Sequence, residues 1–400
     1  MKIMSAGGAT LLFGAALLSP AQAQEAKRLQ FDLGGEILYD SNVTRGSEAA
    51  AQARGLQQED TRFSPNAAVT LNLPTGPHRL MLTGSAAYDF YARNSRLNRE
   101  RIKADGHFYL NLPICAVELR GSFHRRQSDL GDLDITAIDP KGSSKNVETA
   151  KGAGATVSCG GQIGLRPVAM IDWYDARNSA ALRKTADNRS VSYGGGLLYV
   201  HPAIGNITLY VGRREVDYPN RTPLLTSALT SFDADRYGLM FSRDVGAQLK
   251  VGGEIFYTDV TLSNGRSGFS GVNWNANAKL NLSRMEIEGE TGKSVDTSQG
   301  FDANYVLRRN HELRIRYALG ARLTALLAGS ISVRDYNYEP GVVASRIDHD
   351  NMKRVSAGLD YKVSNRMTIG LETAYQRRNA NGTLYDYDSY QAGLRVSTAF

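Results

Sequence analysis

Tyr390-Gln391-Ala392-Gly393-Leu394-Arg395-Val396-Ser397-Thr398-Ala399-Phe400 repeats with a period of two from end to end. Successive side chains of an extended chain point to opposite faces. Tyr390, Ala392, Leu394, Val396, Thr398 and Phe400 therefore share one face, and Gln391, Gly393, Arg395 and Ser397 the other. One apolar and one polar face over this length suits a wall with lipid on one side and water or polar side chains on the other. The preceding segment repeats it, with Met367, Ile369, Leu371, Thr373 and Tyr375 against Thr368, Gly370, Glu372, Ala374 and Gln376.

The same alternation recurs upstream. Leu80, Leu82, Gly84, Ala86, Tyr88 and Phe90 oppose Met81, Thr83, Ser85, Ala87, Asp89 and Tyr91. Val117, Leu119, Gly121 and Phe123 oppose Glu118, Arg120, Ser122 and His124, and Leu249, Val251, Gly253, Ile255 and Tyr257 oppose Lys250, Gly252, Glu254, Phe256 and Thr258. A soluble two-sheet sandwich could use such strands, but the connections alternate short and long as a bacterial membrane barrel requires. Tight turns fall at Thr75-Gly76-Pro77, Pro113-Ile114, Gly160-Gly161, Ala203-Ile204-Gly205, Val245-Gly246, Ser283-Arg284, Leu319-Gly320 and Ser364-Asn365. Between them lie nine longer or more polar connections, the largest near 41–61, 128–146, 220–230 and 337–350. Nine hairpins predict an all-β, up-and-down transmembrane barrel of eighteen antiparallel strands with both termini on the periplasmic side. Arg308-Arg309-Asn310-His311 interrupts the alternation within 300–317, which leaves sixteen strands as the alternative.

The first residues give the chain an address. Met1 to Ala23 has a basic start at Lys2, an apolar run from Ala6 to Leu18 and Ala21-Gln22-Ala23, the pattern of a secretory signal with an A-x-A cleavage site. Domains are accordingly expected as a signal peptide over 1–23 and one barrel over 24–400. No later stretch reaches the ~18 apolar residues of a membrane helix. The formal charge of +7 is spread along the chain without a block of like charges, so no nucleic-acid arm is expected. Twenty tyrosines and forty glycines suit interface aromatics and bends in a barrel wall.

Cys115 and Cys159 are the only cysteines, and an exported chain meets an oxidising compartment. Cys115 opens the fifth predicted strand just after a periplasmic turn, and Cys159 closes the sixth just before the next. Both take the outward phase, so a cross-strand disulfide at the periplasmic rim is reasonable; two unpaired thiols are the alternative. Two cysteines without a nearby His pair do not complete a tetrahedral metal shell.

Six histidines are the candidate bases of a membrane-barrel enzyme. His78 and His201 sit beside periplasmic turns, His107 and His124 face inward, His311 lies in the irregular segment and His349 in an external connection. They do not converge, and G-x-S-x-G, H-E-x-x-H and P-loop patterns are absent from the sequence. No catalytic residues and no cofactor are expected.

An eighteen-strand barrel is too wide for its own side chains to fill. On inward phase, the candidate pore-lining residues are Arg120, Arg166, Arg214, Lys250, Glu254, Lys279, Arg314, Arg334, Lys362, Glu372 and Arg395, with Tyr91 and Tyr210 as surfaces on which a sugar ring could stack. Equally, such charges pair across strands and stiffen the wall, Glu286 and Arg314 being near-opposite in the expected register. The balance of signs leaves ion selectivity open.

Two features carry resemblances. The aromatic Phe400 ending an alternating strand resembles the signal read by outer-membrane assembly machinery. Tyr39-Asp40-Ser41-Asn42-Val43-Thr44-Arg45, where the first strand meets its external connection, resembles the Y-D-S-N-hydrophobic segment of a family of outer-membrane β-barrel porins associated with exopolysaccharide production and secretion loci. That resemblance implies a channel serving exopolysaccharide export, in contact with outer-membrane lipids, the polymer and periplasmic or inner-membrane secretion components. A general diffusion porin for small hydrophilic solutes is the runner-up, and a lipid-modifying barrel enzyme the third reading. Physically, Asp40, Ser41 and Asn42 are turn-formers that bond their own backbone at a strand end.

Overall fold

A computed structural model describes residues 28–132, 144–221, 229–297, 303–338 and 347–400. The expected signal segment lies outside the described residues, as do parts of three of the four largest external connections. The strands are β1 Arg28–Asp40, β2 Asp60–Thr75, β3 His78–Tyr91, β4 Arg99–Asn111, β5 Cys115–Gln127, β6 Val147–Cys159, β7 Gly164–Asn178, β8 Asn188–His201 and β9 Gly205–Asp217. They continue as β10 Ser231–Val245, β11 Leu249–Leu262, β12 Ser267–Asn281, β13 Met285–Asp296, β14 Tyr305–Ala318, β15 Leu323–Asn337, β16 His349–Lys362, β17 Met367–Ala380 and β18 Tyr387–Ala399. Each pairs antiparallel with its neighbours in sequence, and β1 pairs with β18, so eighteen strands close one barrel. The sixteen-strand alternative falls away.

Why the wall curls shut is visible at its seam. Asp32 to Asp40 of β1 face Ala399 to Gln391 of β18 residue for residue. Phe400 extends the ladder beyond β18, donating its N–H to the Phe31 carbonyl at 2.8 Å and accepting from Phe31 N at 3.3 Å. All eight predicted tight turns join consecutive strands, and Gly76, at the tip of the first, has φ +61° with open space around it. A side chain would strain that backbone.

The two faces separate as the alternation requires. Leu33, Ile37, Leu209, Ile255 and Leu371 are about half exposed on the outer face, where water would be unfavourable and acyl chains are not. At the external end of this apolar band, outward tyrosines turn their hydroxyls to acids: Tyr39 to Glu59 at 2.9 Å, Tyr193 to Glu215 at 2.9 Å and Tyr375 to Asp388 at 2.6 Å. An apolar ring below a bonded hydroxyl marks an interface. Exposed Glu59 also accepts from Arg93 at 2.5 Å, and the Arg93 and Tyr39 hydrogen bonds hold its carboxyl below the ordinary range.

Two expectations are corrected. The segment 300–317 is not irregular where it is described, because β14 runs unbroken through Arg308-Arg309-Asn310-His311. Its outward Arg309 lies toward the external end and meets Asp335 at 3.0 Å, so a charge is tolerated where an apolar residue was sought. The pairing of β13 with β14 sets Glu288, not Glu286, opposite Arg314, and Glu286 opposite Arg316. That two-residue slip preserves the faces and changes only the partners.

Cys115 and Cys159 face each other across β5 and β6 and form a disulfide, with Cα atoms 4.0 Å apart. They staple the rim beside two periplasmic turns.

Candidate channel lumen and external mouth

Strand phase brings charged side chains to the inner face, where they form cross-strand networks. Arg120 bridges Asp172 at 2.9 Å and Glu118 at 3.3 Å, and donates to Thr156 Oγ1 at 3.0 Å. Lys279 lies between Glu288 at 2.7 Å and Glu286 at 2.9 Å. Arg314 meets Glu312 at 2.5 Å and Glu288 at 3.9 Å, and Arg395 meets Asp360 at 2.5 Å. Glu372 faces Arg354 at 3.9 Å, while Lys250 and its partner Asp244, also 3.9 Å apart, are both largely exposed near a periplasmic turn. Lys362 is exposed at the periplasmic end of β16 and has no side-chain partner among the described residues. Pairing is thus the commonest use of the inward charges, as ordinary cross-strand chemistry provides.

Toward the external end the inner face becomes buried, because the connections fold across the mouth. The first one, 41–59, contains α1, Glu48–Arg54, whose N-cap is Ser47 and whose C-cap is Gly55 at φ 60°. Ala50, Ala51 and Arg54 are buried on it. Arg54 donates to the Thr44 carbonyl at 2.5 Å and to the Leu130 carbonyl, in the β5–β6 connection, at 2.8 Å. Burial, with Arg183 nearby, lowers its pKa to about 10. Leu56, Leu97 and Leu130, from three different connections, pack with Val43 and Tyr91. Tyr91 is therefore part of this closure rather than an open stacking surface.

Beside this cluster, on β16 and β17, Asp350 takes a bidentate contact from Arg334 at 2.9 and 2.8 Å and a third from Arg378 at 2.5 Å. Arg378 and Asp350 are fully buried. The Arg378 guanidinium also donates to the Gly131 carbonyl. This bond ties β17 to the β5–β6 connection, which folds in over the mouth to reach it. Arg221, stacked 3.5 Å over Tyr218, ties Thr185 (2.9 Å) to Ala303 (3.0 Å), carbonyls of two further connections.

The Tyr39–Arg45 segment anchors this closure to the seam. Asp40 accepts from its own turn at Asn42 N (2.9 Å), from Ser389 Oγ (2.7 Å) and Gln391 Nε2 (2.8 Å) of β18, and from Arg45 (2.6 Å). Ser41 Oγ accepts from Tyr390 N at 2.8 Å, and Asn42 Nδ2 donates to the Gly46 carbonyl at 3.0 Å. The expected turn chemistry is present, with latching to β18 added to it.

Arg54, Arg378 and Asp350 were not among the residues singled out by sequence. Continuing the even phase of Glu372, Ala374 and Gln376 would have brought Arg378 inward, whereas the Arg54 contact depends on how a connection folds. Nor do the histidines converge: His107 meets Glu118 at 3.0 Å, His124 meets Asp105 at 3.2 Å and His349 meets Asp335 at 2.6 Å, each in a separate pair.

Closed wall, outward apolar band and charged inner face define an outer-membrane β-barrel of the porin type. Residues 257–400 match the model of the family described as "Putative beta-barrel porin 2", so this C-terminal part of the chain is similar to that family. The match points to a channel rather than an enzyme, and to the bacterial outer membrane. No curated protein matches the sequence. Similar solved structures include Pseudomonas aeruginosa OpdL, at 13% identity and TM-score 0.46 over 94% of this chain and 98% of that one. Pseudomonas aeruginosa OccK2 (OpdF) is similar at 14% identity and TM-score 0.46 over 94% and 97%, and Acinetobacter baumannii OccAB2 at 9% and 0.45 over 93% and 98%.

Proposed function

We propose that this porin-type channel passes small hydrophilic solutes. One observation carries the reading: the external connections fold in over the mouth and bond to one another, through Arg54 to Leu130 and Arg221 to Ala303, and to the wall, through Arg378 of β17 to Gly131. Such a closure suits small solutes better than a polymer, which would have to displace several connections at once. In this reading the inward charges, including Arg120, Lys279, Arg314, Glu372 and Arg395, are pore-lining. Phe400 serves as the assembly signal as well as a seam residue.

Uptake of small radiolabelled sugars and amino acids by proteoliposomes tests it. Size-limited uptake is expected; equal exclusion of every small solute would oppose it. Exopolysaccharide export is the second reading, supported by the resemblance of Tyr39–Arg45 to the porin family associated with such loci. It requires polymer, and periplasmic or inner-membrane secretion components, as partners. In a deletion strain, loss of secreted polysaccharide would favour export, and unchanged secretion would sink it.

A further inference from the structure

Most inward arginines have a carboxylate, but two neighbours do not. Arg214 on β9 and Arg236 on β10 are 3% and 8% exposed. Arg214 lies opposite Ala234, and Arg236 opposite Gly212, which makes the two arginines diagonal neighbours on the inner face. Neither side chain has a hydrogen bond or ion pair among the described residues, and Arg214 Nη2 and Arg236 Nε are buried without acceptors. Arg236 lies over the Phe256 ring, 5.4 Å away, and within the field of Glu254.

Nearby acids are already engaged. Glu254 accepts the Tyr210 hydroxyl, and Asp296, whose field reaches Arg214, is bonded to Arg308 at 3.2 Å. Arg214, Arg236, Glu254, Tyr210, Ser192 and Met170 line one cavity. Arg213 also borders the cavity, but its guanidinium is paired with Asp233 and Asp235; the remaining two guanidiniums against one carboxylate leave a surplus of one positive charge there. A buried charge without a counter-charge is costly, so the arrangement favours an anion of matching charge. The free space is about 10 Å³, roughly that of one water-sized sphere. It admits a small ion, or one oxygen of a larger anion, and not a sugar ring.

We propose that Arg214 and Arg236 form an anion-binding site in the barrel wall, taking chloride or one oxygen of a carboxylate or phosphate. The site is independent of which solute crosses the barrel. Protein purified in detergent, in a bulky sulfonate buffer free of chloride, is titrated with chloride, acetate and inorganic phosphate while thermal unfolding is followed. Because an anion that binds only the folded state stabilises it by mass action, a saturable rise in Tm is expected. Arg214→Gln and Arg236→Gln should abolish it, whereas Arg309→Gln, on the outer face, should keep it.

Saturation by chloride at lower concentration than acetate or phosphate identifies a halide site; the reverse order identifies the carboxylate or phosphate of a solute. No saturable rise with any of the three, or a rise that survives both glutamine variants, overturns the proposal. If the variants do not fold, bromide soaked into wild-type crystals decides it. An anomalous peak within hydrogen-bond distance of both guanidiniums supports the site, and no peak there overturns it.

Discussion

Phe400 and Phe31 exchange both of their backbone hydrogen bonds, at 2.8 and 3.3 Å, and this pair is the periplasmic end of the seam that closes the barrel. The bonds use main chain, while Phe400, 62% exposed as a residue, carries its ring on the outward phase. Backbone and ring can therefore be separated. Deleting Phe400 removes the pair and should lower the yield of heat-modifiable, folded barrel on refolding into detergent. Phe400→Ala keeps both bonds and should refold nearly as well, losing yield only in cells, where the ring is available to assembly machinery. Equal refolding of the deletion and the wild type would show that the pair does not matter.

The Cys115–Cys159 disulfide closes a hairpin with a sequence separation of 44. Loop-closure entropy gives such a link about 4 kcal/mol, reduced where the paired strands already hold the ends together. The double variant Cys115→Ser, Cys159→Ser should fold with a lower Tm, and a reductant should lower the wild-type Tm toward the same value. Alkylation under denaturing, non-reducing conditions should add no mass to protein exported in cells; a gain at both cysteines would contradict the bond.

Gly238 lies opposite Tyr210, and a Cβ there would stand 2.7 Å from the Tyr210 hydroxyl and from its ring. Gly238→Ala should push Tyr210 away from Glu254 and destabilise the barrel by about 1–3 kcal/mol, the usual cost of overpacking. The Gly238→Ala, Tyr210→Phe pair should recover little, because the ring still clashes, whereas Gly238→Ala with Tyr210→Ala should show marked non-additivity. Additive losses in that last pair would place the strain against Phe256 Cβ, which the added methyl also meets at 2.7 Å.

Strand number, turns and the inner and outer faces were legible because alternation and turn residues are local signals. Leu394 and Arg395 reveal their faces without reference to any other strand. Partners were less legible: Arg314 was set beside Glu286 and is opposite Glu288, because register depends on turn geometry that differs by single residues. Least legible was the closure of the mouth. The sequence separation of Arg378 from Gly131 is 247 residues, and no periodicity links them. Arg214 and Tyr210 were placed on the inner face, but that Arg214 lacks a carboxylate follows only from Asp296 being held by Arg308 and Glu254 by Tyr210.

Asp350 holds Arg334 and Arg378 in a fully buried contact. Removing one partner of such a pair usually costs about 3–5 kcal/mol, since it strands the other charge. Asp350→Ala should therefore lower the Tm and expose the external connections to added protease in intact cells. Unchanged protease resistance with a lowered Tm would mean that the connections are held elsewhere.

Single-channel recording in planar bilayers tests the central claim, that this barrel is a channel whose connections narrow its external mouth. The wild type should give small, discrete conductance steps, and Arg378→Ala, which releases both Asp350 and Gly131, should give larger ones. Folded protein that inserts but conducts in neither form would contradict the account.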